Sequence, residues 1–95
     1  MTEFYEQVKE RLMRYARINT ESDPHSTSVP TTSCQHDLAS VIYEELQEIG
    51  ATNVYYDKDT CVVYGSLEAN VKTGRAIGFV THMDTAPDAS GKDVK

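Results

Sequence analysis

Long apolar runs are missing from this 95-residue sequence. None approaches the ~20 residues that a helix needs to cross a bilayer, so no membrane span is expected. Basic residues are few and scattered: Lys and Arg number 9 against 15 Asp and Glu, a net charge of -6. That balance argues against nucleic acid and against an anionic membrane surface as partners. Cysteine is limited to Cys34 and Cys61, which read as free thiols in a reducing compartment, since nothing around them demands a disulfide. Cys34 and His36 lie two apart in a helical pattern and do not share a face, which speaks against zinc there. The opening residues, Met1-Thr2-Glu3-Phe4-Tyr5-Glu6, lack a basic patch followed by an apolar stretch. No signal peptide is expected, and the expected location is cytoplasmic. Internal repeats and low-complexity tracts are also missing.

What is present fits one small soluble α/β domain. Hydrophobic residues make up 39% and charged residues 25%, as in ordinary globular chains, and a chain of this length buries only a modest core. Phe4, Val8, Leu12, Tyr15 and Ala16 follow helical spacing, Thr2 can cap the start, and Ile18-Asn19-Thr20 closes the helix. Residues 21–30 are rich in Ser, Thr and Pro and read as a loop. Thr32 with Gln35 three residues later forms a capping-box pattern. It leads into a second apolar stripe of Leu38, Val41, Ile42, Leu46 and Ile49, with Gly50 where a helix stop belongs. The second helix is predicted over about 33–49. Glu44 and Glu45 fall on what reads as its solvated face.

After Gly50 the period changes. Residues 53–56 and 60–64 are rich in β-branched and aromatic side chains, with Asp57-Lys58-Asp59 as a turn between them, and predict a hairpin. A polar connection over 68–74 leads to Arg75-Ala76-Ile77-Gly78-Phe79-Val80-Thr81, predicted as a third strand. Ala76, Gly78 and Val80 alternate with Ile77 and Phe79. Both faces are thus apolar, as in a strand covered on both sides. Residues 86–95 read as a loop-like tail. Covering both faces of that strand takes more chain than this, so the sequence reads as the front part of something larger.

The third strand runs into His82-Met83-Asp84-Thr85. Side chains two apart on a strand point the same way, so an imidazole and a carboxylate are presented together where the strand leaves the core. Imidazole is a common transition-metal ligand, usually oriented by an acceptor behind it. The pair is half of a metal site, because a catalytic zinc takes three protein ligands. On spacing alone, a loop histidine paired with a nearby aspartate is the commoner meaning. Thr81 and Thr85 read as turn caps, Asp88 and Lys92 as a solvated loop, and His25 and His36 as surface residues. The six tyrosines read as residues at the core's edge.

The longer segment G-F-V-T-H-M-D-T-A-P-D-A-S-G-K, residues 78–92, resembles the N-terminal metal-site segment of the M20 family of two-zinc metallopeptidases, and within it the tripeptide aminopeptidases. The resemblance extends through V-P-T-T (29–32), E-E-L-Q-E-I-G (44–50) and L-E-A-N-V (67–71), and so covers essentially the whole chain. It implies that His82 is a zinc ligand and that Asp84 orients an imidazole in the catalytic centre. It also implies two zinc ions in the intact enzyme, with one ligand in this chain, and short peptides as substrates. The bridging aspartate, the glutamate base and the remaining ligands of that family come later than Lys95. The chain is therefore expected to be an N-terminal fragment, 1–95, of a three-layer catalytic domain, without the dimerisation domain. Two helices on a mixed three-stranded sheet are expected. By the resemblance, the third strand should pair parallel with the first and leave the second at the edge. Such a fragment is expected to be inactive and to self-associate through its uncovered strand. Two other classes share parts of the pattern. A non-haem iron oxygenase has a facial triad that also begins His-x-Asp, but it needs a second histidine after the motif, and none follows here. A small binding module would carry no chemistry.

Overall fold

The computed structural model describes residues 2–72 and 74–93. Thr73 of the polar connection, Val94 and Lys95 of the tail, and Met1 lie outside the described residues. The element order is α1 (Thr2–Ala16), α2 (Gln35–Glu48), β1 (Thr52–Asp57) and β2 (Val62–Ser66).

Helix α2 and the hairpin form the packed unit. Residues 33 and 34 turn ahead of α2, so it starts at Gln35. The Gln35 Nε2–H donates to the hydroxyl oxygens of Thr31 and Thr32, at 3.2 and 3.0 Å. The capping residues thus bond each other while the helix begins two residues later than predicted. At the other end Gly50 takes a φ of 87°. There the Ala51 N–H donates to the Leu46 carbonyl at 3.0 Å and the Gly50 N–H to the Gln47 carbonyl at 3.2 Å. That pairing closes a helix through a left-handed residue, which costs glycine least.

β1 and β2 pair antiparallel, with Tyr55 opposite Tyr64 and Asp57 opposite Val62. The Tyr55 and Tyr64 rings stack with centroids 6.1 Å apart, a cross-strand pair of the kind that stabilises hairpins. Gly65 faces α2: a Cβ built there would sit 3.2 Å from Leu46 Cδ1, so the missing side chain lets the helix settle on β2. Leu38, Ala39 and Cys61 are the buried apolar residues among those described.

Helix α1 stands apart from this core. Its apolar stripe is largely uncovered, with Phe4 66% and Leu12 68% exposed. Its tie to α2 is polar instead. Glu45 accepts hydrogen bonds from Arg14 Nη2 and from the Tyr15 hydroxyl, and Arg11 Nε lies 3.8 Å from the same carboxylate. This corrects the sequence reading of Glu45 as solvated: its side chain is 12% exposed, while Glu44 does face solvent. His36 also departs from expectation. It is half-buried, with its ring 5.8 Å from that of Tyr56 and its Nδ1 against the Tyr56 hydroxyl.

The clasp has a titration signature. Burial first, and then the hydrogen bond to Glu45, push the Tyr15 phenol up from 10.0 to about 12. A raised pKa means that folding favours the neutral phenol. Its contribution is therefore whole below the ordinary value of 10.0 and is lost as pH climbs through about 12. Tyr15→Phe is expected to remove a component near pH 12 from the alkaline absorbance titration. An unchanged titration in that variant would mean that Tyr15 is not clasped.

The third strand is not formed. Among the described residues the sheet has two strands, β1 and β2, and residues 74–84 carry no secondary structure. Ile77, Phe79 and Val80 are exposed at 83%, 92% and 101%. The expected mixed sheet, with 75–81 parallel to the first strand, is corrected accordingly. The physical reason is cover. Fixing each residue's backbone costs about 1–2 kcal/mol, and a segment apolar on both faces recovers that only with neighbours on both sides. Here Ile77, Phe79 and Val80 gain no such cover from the described residues. The area exposed agrees: 7847 Å², against about 5,500 Å² for a compact monomer of this mass.

Candidate functional site

The His82–Asp84 turn is held by the segment that follows α1. The Thr20 hydroxyl donates to the Met83 carbonyl at 2.9 Å, and the Thr85 N–H donates to the Thr20 carbonyl at 3.1 Å. The Ser22 N–H and hydroxyl both donate to the Thr85 carbonyl, at 2.9 and 3.1 Å. Glu21 and Thr85 form a parallel bridge. Residues 20–22 thus act as a short parallel partner for 83–85. The loop behind them is itself tied down: the Thr32 hydroxyl donates to the Glu21 carbonyl at 2.7 Å, and the Asp23 N–H to Thr31 Oγ1 at 3.1 Å.

His82 and Asp84 come together as the spacing predicts, although in an irregular segment leading into the Glu21–Thr85 bridge rather than at the end of a formed strand. The His82 Nδ1–H donates to the Asp84 main-chain carbonyl at 2.9 Å and to Asp84 Oδ1 at 3.1 Å. The imidazole is 84% exposed and the carboxylate 37% exposed. With Nδ1–H engaged by Asp84, a neutral ring carries its lone pair on Nε2. That is the tautomer a metal-ligating histidine adopts when a carboxylate or carbonyl stands behind it.

As a zinc site the pair fits one edge and does not complete a shell. Among the described residues no group of three or more His, Cys, Asp or Glu is gathered closely enough to hold a metal ion. His25, exposed in its own loop, and His36, against Tyr56, are not brought to the pair. Cys34 Sγ is engaged with the Glu21 carbonyl at 3.7 Å. Cys61 is buried, and burial pushes its thiol up while a hydrogen bond from Tyr56 pulls it partly back. A buried neutral thiol of this kind is inert.

An open cleft of about 700 Å³ runs beside the His82–Asp84 segment, with Leu12, Ala16, Leu38, Ile42 and Met83 among its lining residues together with His82 and Asp84. An apolar cleft with a few convergent polar groups is the usual form of a small-molecule site. Thr20 is the residue that the sequence reading passed over. It is the most buried polar side chain among those described, at 2% exposure, yet it read only as the end of a helix. Its partners, Met83 and Thr85, lie more than sixty residues away, and no local pattern points to them.

No family model matches the chain. Individual relatives do. The chain is 44% identical over 89 residues to peptidase T of Alkaliphilus oremlandii, covering 90% of this chain and 22% of the relative. It is 46% identical over 90 residues to peptidase T of Geobacillus kaustophilus, covering 94% of this chain and 22% of the relative. Against peptidase T of Desulfitobacterium hafniense the figures are 46% over 89 residues, 93% and 21%. The chain thus spans about a fifth of the length of the curated relatives it matches. The resemblance drawn from residues 78–92 is a similarity to peptidase T over nearly the whole chain, as fits an N-terminal portion of such a protein. No helix among the described residues is long and apolar enough to cross a membrane.

Proposed function

We propose that the full-length protein is a zinc-dependent aminopeptidase of the M20 type that releases the N-terminal residue of tripeptides in the cytoplasm. This chain would contribute the first part of its catalytic domain. The observation that carries the reading is the similarity to peptidase T over about nine tenths of the chain, with the His82–Asp84 pair inside the matching motif. His82 would hold zinc through Nε2. Asp84 would keep that nitrogen unprotonated and aimed, by taking the Nδ1 proton into a hydrogen bond. Bound zinc would supply an activated water and a polarised peptide carbonyl. The cleft beside the turn, with Leu12, Leu38 and Ile42 on its wall, would receive an apolar part of a short peptide and exclude water around it.

The test is tripeptide hydrolysis with metal analysis, run on the full-length protein and on the 95-residue chain. Turnover with bound zinc is expected from the first. No turnover and weak zinc binding at most are expected from the second, which has one ligand and no base. Turnover by the 95-residue chain, or a metal-free full-length enzyme with full activity, would overturn the reading.

Residues 75–81 would become an inner strand once later parts of the protein supply neighbours, completing a three-layer catalytic domain. Without them the 95-residue chain is expected to self-associate through 76–80, where Ile77, Phe79 and Val80 stand in solvent. Sedimentation velocity over a concentration series should show dimers or larger species, and Phe79→Lys should restore the monomer. A monomer at every concentration would sink this expectation.

A further inference from the structure

We propose that Thr20 is the positioning residue of the His82–Met83–Asp84 turn, because one buried side chain and its own carbonyl hold both peptide groups that flank Asp84. The inference rests on reading His82 as a zinc ligand with Asp84 behind it, and it names the group that sets the geometry of that pair.

The peptide between Met83 and Asp84 is held by its carbonyl, which accepts the Thr20 hydroxyl at 2.9 Å. The peptide between Asp84 and Thr85 is held by its N–H, which donates to the Thr20 carbonyl at 3.1 Å. A trans peptide is planar, with its N–H and C=O pointing in opposite directions. Anchoring the Thr85 N–H on Thr20 therefore turns the Asp84 carbonyl the other way, toward His82, where it accepts the Nδ1–H at 2.9 Å. With both flanking planes fixed, the Asp84 backbone is fixed, and so is the direction in which its carboxylate leaves the chain. That carboxylate is the second acceptor for the same proton, at 3.1 Å.

Thr20 can do this because its side chain is enclosed while the contact is formed. It is 2% exposed, and as a β-branched residue it has few χ1 choices. Ser22 steadies the next carbonyl, that of Thr85, and touches neither peptide flanking Asp84. The chain of action is Thr20 to the two peptide planes, the planes to Asp84, and Asp84 to the proton on His82 Nδ1.

The experiment reads the imidazole tautomer of His82 by long-range nitrogen–proton correlation on the 95-residue chain. It is run near pH ~8, above the ordinary imidazole range of about 6.5, with His82→Gln assigning the signal. The unmodified chain should show the Nδ1–H form. Thr20→Val keeps the shape and removes the hydroxyl; it should lower the ratio of Nδ1–H to Nε2–H by about tenfold, the size of effect that losing a hydrogen bond to a charged group produces. Thr20→Ser should restore the original ratio, and Ser22→Ala should leave it in place. The His36 signal, set by Tyr56, should not move in any of them.

An unchanged ratio in Thr20→Val overturns the proposal. So does a Thr20→Val chain that loses the Tyr55–Tyr64 ring contact, since Thr20 would then belong to the general core. The zinc reading is judged separately, by the metal content of full-length His82→Ala. Loss of zinc there with no tautomer change in Thr20→Val keeps the ligand and removes the positioning role. The reverse result keeps the positioning role and removes the ligand.

Discussion

On the proposed reading of the full-length protein as a two-zinc aminopeptidase, replacing His82 with alanine is expected to remove one zinc ion and most of the tripeptide hydrolysis. The imidazole is 84% exposed, so its loss should not disturb the fold. Its Nδ1 is occupied twice over by Asp84, which leaves Nε2 as the nitrogen open to a ligand. Asp84→Ala should act differently. Removing the partner behind a ligating histidine costs about 10–100-fold in metal affinity or activity. Here the Asp84 main-chain carbonyl, at 2.9 Å, survives the substitution and still accepts the Nδ1 proton. The loss should therefore fall near the lower end, about tenfold. Zinc content and initial rates on a tripeptide, measured for both variants, separate the two roles. A His82→Ala enzyme with its full complement of zinc would show that the site has been misread.

The second large effect is on stability. Leu38→Ala in the 95-residue chain should remove most of its cooperative unfolding. Leu38 is 5% exposed and is one of the three buried apolar residues among those described. Truncating a buried leucine to alanine costs about 2–5 kcal/mol. Small domains hold only about 5–15 kcal/mol in total, and a chain with this much uncovered apolar surface belongs at the low end. Ile49→Ala is the control: it ends the same stripe but is 55% exposed, so a change within about 0.5 kcal/mol is expected. Urea unfolding followed by circular dichroism compares them. Equal midpoints for the two variants would mean that α2 does not pack through Leu38.

Those expectations separate what the sequence discloses from what it withholds. The two helices and the hairpin were legible because each is signalled by its own residues: the stripe from Leu38 to Leu46, the glycine at 50, the aromatic run at 53–56. The His82–Asp84 pairing was legible for the same reason, since its atoms sit two residues apart. The third strand was not, because a strand exists only with a partner, and the pattern of 75–81 records a demand for cover without saying what supplies it. Glu45 escaped because its surroundings depend on how α1 crosses α2. Thr20 escaped because its burial is created by residues that arrive 63 positions later.

That separation along the chain has a kinetic side. The hairpin closes through a short loop, and α2 winds on its own residues, so both can form early. The bonds from 20–22 to 83–85 must bring together points more than sixty residues apart, and the entropy of that closure is met before any bond rewards it. Only a few hydrogen bonds hold it afterwards, next to an exposed 75–80 segment. Regions so thinly tied open at the smallest free energies. The histidine turn should therefore be the last part of this chain to order and the first to let go, with α2 and its hairpin still intact around it.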